Sequence, residues 1–221
     1  MIPEMQALAV LWSNKRFLLM ESLVCATWTA LALSWFWLPD SYIWGVALAA
    51  VQGIVLIAAG LWLMATTLLF YRKAHAGTDL RLRPICQEAL HRVPALSAWA
   101  LVFALALWLS LRLKAPVWIW IIPAILLLPL AEQVAAEGFR GMSRRAWRAR
   151  YFPDAAILAA AGAYLPYKLI GWHPQLHGLA LQTTSLAVRF AAAYLLAIVA
   201  WLMLASLLGR LGMGPASDRS V

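Results

Sequence analysis

Two of the nine acidic residues, Glu21 and Glu132, fall inside long apolar segments. A carboxylate there is costly unless partnered, so chemistry is sought there first. Glu21 lies about one turn into the segment that begins at Phe17. It would serve as a proton or cation ligand, or pair with arginines of Arg140–Arg150 at the same membrane level. The ion pair is the favoured reading, because pairing is the usual rescue for a buried carboxylate. Glu132 and Gln133 follow Pro129, with Pro123 earlier in the same segment. Prolines free backbone carbonyls, which transporters use as ligands, although in membrane helices they are also commonly mere kinks. Glu21, Gln52, Glu132 and Gln133 thus form a candidate intramembrane polar site.

A second candidate lies at the other depth. Arg189 sits one to two turns into the last apolar segment, too far from Glu21 to pair with it. Its expected partners are Asp40, backbone carbonyls or lipid phosphates. Tyr167, Lys168 and Arg189 together would make an outward anion site. Snorkelling of both cations to the headgroups is the favoured reading.

Catalytic apparatus is not expected. His173 and His177 have the four-residue spacing of a helical metal pair, but Pro174 intervenes and no acidic or thiol ligand is near. No Ser-His-Asp set is expected at one depth, and no glycine loop suits a phosphate. Ala136-Glu137-Gly138-Phe139-Arg140-Gly141 resembles part of the signature of CAAX-type intramembrane proteases. That family carries a Glu-Glu pair where this chain has Ala135 and Ala136, and it needs intramembrane histidines, so its chemistry is excluded. Cys25 and Cys86 lie at different depths and are expected to remain thiols. No cofactor and no metal are expected.

Arg140, Arg144 and Arg148 recur every four residues and share a helix face, with Arg145 and Arg150 beside them. Attraction to anionic headgroups, about 1 kcal/mol per basic residue near the surface, accounts for such a cluster. With no soluble domain, nucleic acid is not an expected partner.

These residues are positioned by a membrane architecture. Of the 221 residues, 64% are hydrophobic and 12% charged, and the mean hydropathy is +0.78. A soluble domain of that composition would have a largely greasy surface. Six segments are apolar over the length a membrane helix needs, 17–38, 43–71, 95–113, 117–136, 155–170 and 185–211. They are continuously apolar, which predicts helices rather than a barrel. Lys15, Arg16, Arg72, Lys73, Arg81, Arg83, Arg92, Arg210, Arg219 and the Arg140–Arg150 cluster lie on one side of these spans. Only Arg112, Lys114 and Lys168 lie on the other, with Arg189 inside a span. Positive-inside logic then puts both termini in the cytoplasm of a bacterial inner membrane. Trp35, Trp37, Trp44, Trp118, Trp120 and Trp172 flank the outer ends, and Trp12 and Trp147 the inner ones, as interfacial belts do. Ala30-Leu31-Ala32 has the form of a signal-peptidase site, but the apolar run continues past it, so an uncleaved anchor is expected.

The stretches 7–17, 85–95 and 141–152 share a design, apolar residues at helical spacing followed by basic ones. Each would lie in the interface before an odd-numbered span, which predicts three repeats of interfacial helix plus hairpin, 1–71, 72–136 and 137–211, with a disordered tail over 212–221. This recurring lead resembles a loose group of bacterial six-helix membrane proteins, including the membrane domain attached to some glycerophosphodiester phosphodiesterases. The resemblance implies an all-α, six-helix domain and no particular catalytic residues; the phosphodiesterase domain is absent. Gly45, Ala49 and Gly53 form a small-residue stripe that permits close packing within the chain, in a homo-oligomer or on another membrane subunit.

The expected function is an accessory, scaffold or lipid-organising membrane component. A small oligomeric transporter or channel is the alternative, and a lipid-modifying enzyme a third.

Overall fold

The computed structural model describes residues 10, 12, 14–34, 43–78, 80–113, 117–143, 151–172, 174 and 178–212. Among them every regular element is helical. In chain order these are α1 (Lys15–Ser34), α2 (Ile43–His75), α3 (Leu82–Arg112), α4 (Val117–Glu137), α5 (Tyr151–Ala159), α6 (Leu165–Gly171) and α7 (Leu179–Gly212). A 3₁₀ segment, Gly138–Ser143, follows α4, and a π segment, Ala160–Tyr164, joins α5 to α6. Among the described residues, four stretches are long and apolar enough to cross a membrane: Lys15–Ser34, Ile43–His75, Leu82–Ala106 and Ala180–Arg210.

The helices outrun the apolar segments. α2 continues past Tyr71 to His75, and α7 starts before Ser185 and ends at Gly212, taking in the first residue of the expected tail. Hydropathy marks where lipid begins and ends; a helix stops only where a breaker or a turn intervenes. One correction is larger. The 85–95 stretch is no separate interfacial helix but the first turns of α3, which runs on through Pro94. Ile85 and Ala89 are fully buried in the protein core, not in lipid. A protein surface and a bilayer both cover an apolar stripe, and periodicity does not distinguish them. The fifth segment is likewise not one α-helix, being divided by its π turn.

α2 is the hub. It packs on α1, α3, α4 and α7, and residues Ala65–Tyr71 are buried without a break, which in a helix means covered on every side. At the same level the Phe17 and Phe70 rings stack, with centroids 3.7 Å apart, and Tyr71 meets both edge-on. Gly209 of α7 lies directly on the α2 backbone, since a Cβ there would stand 2.8 Å from the amide nitrogen of Arg72. Successive helices are also joined by indoles. Trp28 Nε1 of α1 donates to the Leu56 carbonyl of α2 at 2.8 Å, Trp62 of α2 to Cys86 of α3 at 3.1 Å, and Trp99 of α3 to Leu127 of α4 at 2.9 Å. Each places a polar N–H that lipid cannot satisfy.

Candidate functional site

The last two and a half turns of α2 carry Thr67, Arg72, Lys73 and His75. At 3.6 residues per turn these point in four directions, roughly 0°, 140°, 240° and 80° around the axis. Each meets a different helix. Thr67 Oγ1 lies 2.9 Å from Glu21 Oε1 of α1, and Lys73 Nζ donates to Glu88 of α3 at 2.7 Å. Arg72 Nη1 donates to Glu132 of α4 at 3.0 Å, and His75 Nε2 lies 3.0 Å from Ser206 Oγ of α7. One helix end is thereby tied to four neighbours.

The partners differ in burial, and so in consequence. Glu132 is 2% exposed, so Arg72 compensates a charge that water does not reach. Lys73 and Glu88 are each about a third exposed on their side chains, and an exposed pair is worth little. Glu21 is 3% exposed. Its Oε1 shares the Thr67 hydroxyl with the Leu63 carbonyl, also 2.9 Å away, and its Oε2 has no partner among the described residues. A hydroxyl has one proton for those two acceptors. A proton on Glu21 would satisfy both, with Glu21 donating to Thr67 and Thr67 to Leu63.

Of the polar residues expected to work together, Glu21 and Glu132 both meet the end of α2, through Thr67 and Arg72, five residues and roughly 140° apart on that helix. Gln133 is partly buried on α4, and its Oε1 is without a partner among the described residues. Gln52 is elsewhere: it donates to the Leu31 carbonyl at 2.6 Å and to Ser34 Oγ at 2.9 Å. Fifteen residues of helix separate it from Thr67, about 22 Å. Glu21 is met by a threonine; of the arginines first considered for it, Arg144, Arg145, Arg148 and Arg150 lie outside the described residues, and Arg140 is exposed on the 3₁₀ segment.

Arg189 is 7% exposed and donates to the carbonyls of Ser185 at 3.2 Å and Ile170 at 3.1 Å. Ile170 belongs to the last turn of α6, whose carbonyls lack helical partners, so the guanidinium caps that helix. Lys168 sits over the Tyr164 ring at 5.6 Å, and Tyr167 is exposed. Asp40, His173 and His177 lie outside the described residues. An equivalent cap at the other end was not foreseen: Arg92 Nη2 donates to Ala136 at the end of α4, at 2.9 Å. Gly138 follows with φ 67°, the left-handed residue that stops a helix, and a Cβ there would stand 2.9 Å from Arg92 Nη1.

The expectation that no Ser-His-Asp set could share a depth needs correcting. Ser206, His75 and Asp154 line one void, with Arg210. The extension of α2 beyond Tyr71 brings His75 there. The void is about 20 Å³, room for one water molecule, and no ion pair joins Asp154 to His75. A substrate does not fit.

Among the described residues, no group of three or more His, Cys, Asp or Glu side chains could hold a metal. No family model, curated protein or solved structure matches this chain.

Proposed function

We propose that this chain is a six-span bacterial inner-membrane protein with both termini in the cytoplasm, acting as a scaffold or lipid-organising subunit. The observation that carries this reading is the clamped end of α2. Its polar side chains are spent on holding four neighbouring helices, with the Phe17, Phe70 and Tyr71 rings packed beside them. The 21-residue α4 and the α5–π–α6 run supply the remaining two spans. Loop charge supplies the orientation, because basic loops remain on the cytoplasmic side. Apolar faces left exposed along α1, α2 and α7 are suited to lipid or to other membrane subunits.

Affinity purification of the whole chain in mild detergent tests the scaffold. Stable co-purifying membrane subunits or a defined homo-oligomer support it, and a monomer that retains neither protein nor lipid overturns it. For the arginine cluster, Arg145→Ala with Arg148→Ala should weaken binding to anionic liposomes; unchanged binding removes the lipid role.

One observation favours a small transporter instead, the Oε2 of Glu21, which has no partner among the described residues. Proton or cation flux into proteoliposomes that disappears in Glu21→Gln would establish that reading.

A further inference from the structure

A cavity of about 690 Å³ lies between the start of α1 and the start of α3. That is within the range of small-molecule sites, about 300–1,000 Å³. Its lining is Asn14, Lys15, Arg16 and Phe17 from one side and Leu80, Arg81, Leu82 and Arg83 from the other. Four of these eight residues are cationic, and among the described residues no carboxylate lines the cavity. Neither helix has an acidic residue in its first turn. The lining therefore includes the leading residues of two helices, which carry the positive ends of their dipoles, although the Phe17 N–H already donates to the Asn14 carbonyl at 2.9 Å. Pro84 occupies the first turn of α3, where its missing N–H costs nothing. Phe17, 1% exposed and stacked on Phe70, anchors the inner wall to the core, so one side of the cavity is rigid.

We propose that this cavity binds a phosphate-bearing anion between Lys15, Arg16, Arg81 and Arg83. Arginine forks match phosphate oxygens bidentately, and two converging helix starts add donors for the remaining oxygens. The phosphate could belong to a lipid headgroup or to a soluble compound. Phe17, Leu80 and Leu82 would accept the glycerol or first methylenes of a lipid. The lining residues are not those of the Arg140–Arg150 cluster, and only the lipid arm rests on the topology proposed above.

The test uses the full chain in neutral detergent, with Trp fluorescence and thermal unfolding as readouts. Trp12 reports on the cavity because Lys15 Nζ stands 5.9 Å from its ring centroid. One arm titrates inorganic phosphate and the other phosphatidic acid in mixed micelles, with phosphatidylcholine as the neutral control. Saturable binding is expected, weakened about tenfold or more in Arg81→Ala/Arg83→Ala. The charge-matched Arg112→Ala/Lys114→Ala variant, at the other end of the spans, should bind as the wild type does. Saturation by phosphatidic acid alone identifies a lipid; saturation by both identifies the phosphate group as sufficient. Arg81, Arg83 and Arg112 are exposed, so ligand-free melting temperatures should agree between variants. The proposal is overturned if neither probe saturates, or if both double variants lose affinity equally. Loss of liposome binding in Arg145→Ala/Arg148→Ala with this site intact would remove only the cluster's role.

Discussion

The end of the bundle that gathers Lys15, Arg72, Arg92 and Arg210 differs from the opposite end in how its helices meet. At the basic end, Phe17 stacks on Phe70, Gly209 seats α7 on the α2 backbone, and α2 reaches four neighbours through polar contacts. At the far end of the same helix, Ile43, Trp44, Val46 and Leu48 stand between 55% and 87% exposed. Both halves are rich in apolar residues, so hydrophobicity does not explain the difference. In lipid an apolar side chain gains little by leaving the bilayer for a neighbouring helix. Close packing and hydrogen bonds hold helices together instead, and among the described residues α2 makes most of both at one end. The far end retains Gln52 on Ser34 and Arg189 on the end of α6, which are local ties.

The largest test of that contrast is the buried carboxylate of Glu132. Arg72→Ala would leave it uncompensated and should cost about 3–5 kcal/mol in equilibrium unfolding from mixed micelles. Adding Glu132→Gln should recover most of the loss, since the charge goes too. A single variant as stable as wild type would mean the clamp does not hold the bundle.

Gly209→Ala should cost about 1–3 kcal/mol, because the added methyl meets backbone atoms of Tyr71 and Arg72 that move only with a whole helix. A melting temperature unchanged from wild type would refute the close approach of α2 and α7.

The indole links sharpen the contrast further. Trp99→Phe removes a hydrogen bond from a side chain 5% exposed and should cost about 1 kcal/mol. Trp28, 38% exposed, should cost less under the same change. The reverse order would relocate the rigid part of the molecule.

Leu48→Ala is the smallest expected effect, within about 0.5 kcal/mol for an exposed position. A larger loss in the native membrane than in detergent would show that a partner subunit covers that face.

Much of this was legible in the residues. Continuous apolar runs marked the four candidate spans, and Glu21 and Glu132 drew notice as carboxylates in apolar surroundings. Backbone carbonyls were foreseen among the partners of Arg189, and two of them receive it. The partner of Glu21 was not legible, because Thr67 is 46 residues away and carries no charge to mark it. Nor was the fate of 85–95, whose stripe suits lipid and protein equally. His75 and Ser206 belong to different ends of the chain, and only the overrun of α2 brings them together.

By itself the sequence determined the class of molecule and the grouping of its charge, since both follow from how much apolar length separates the basic loops. Register decided the rest. Which helix faces lie inward, that α2 is the hub, and that two helix starts enclose four cations all depend on side chains meeting across different helices. Such meetings are set by packing geometry, which no local pattern of residues contains.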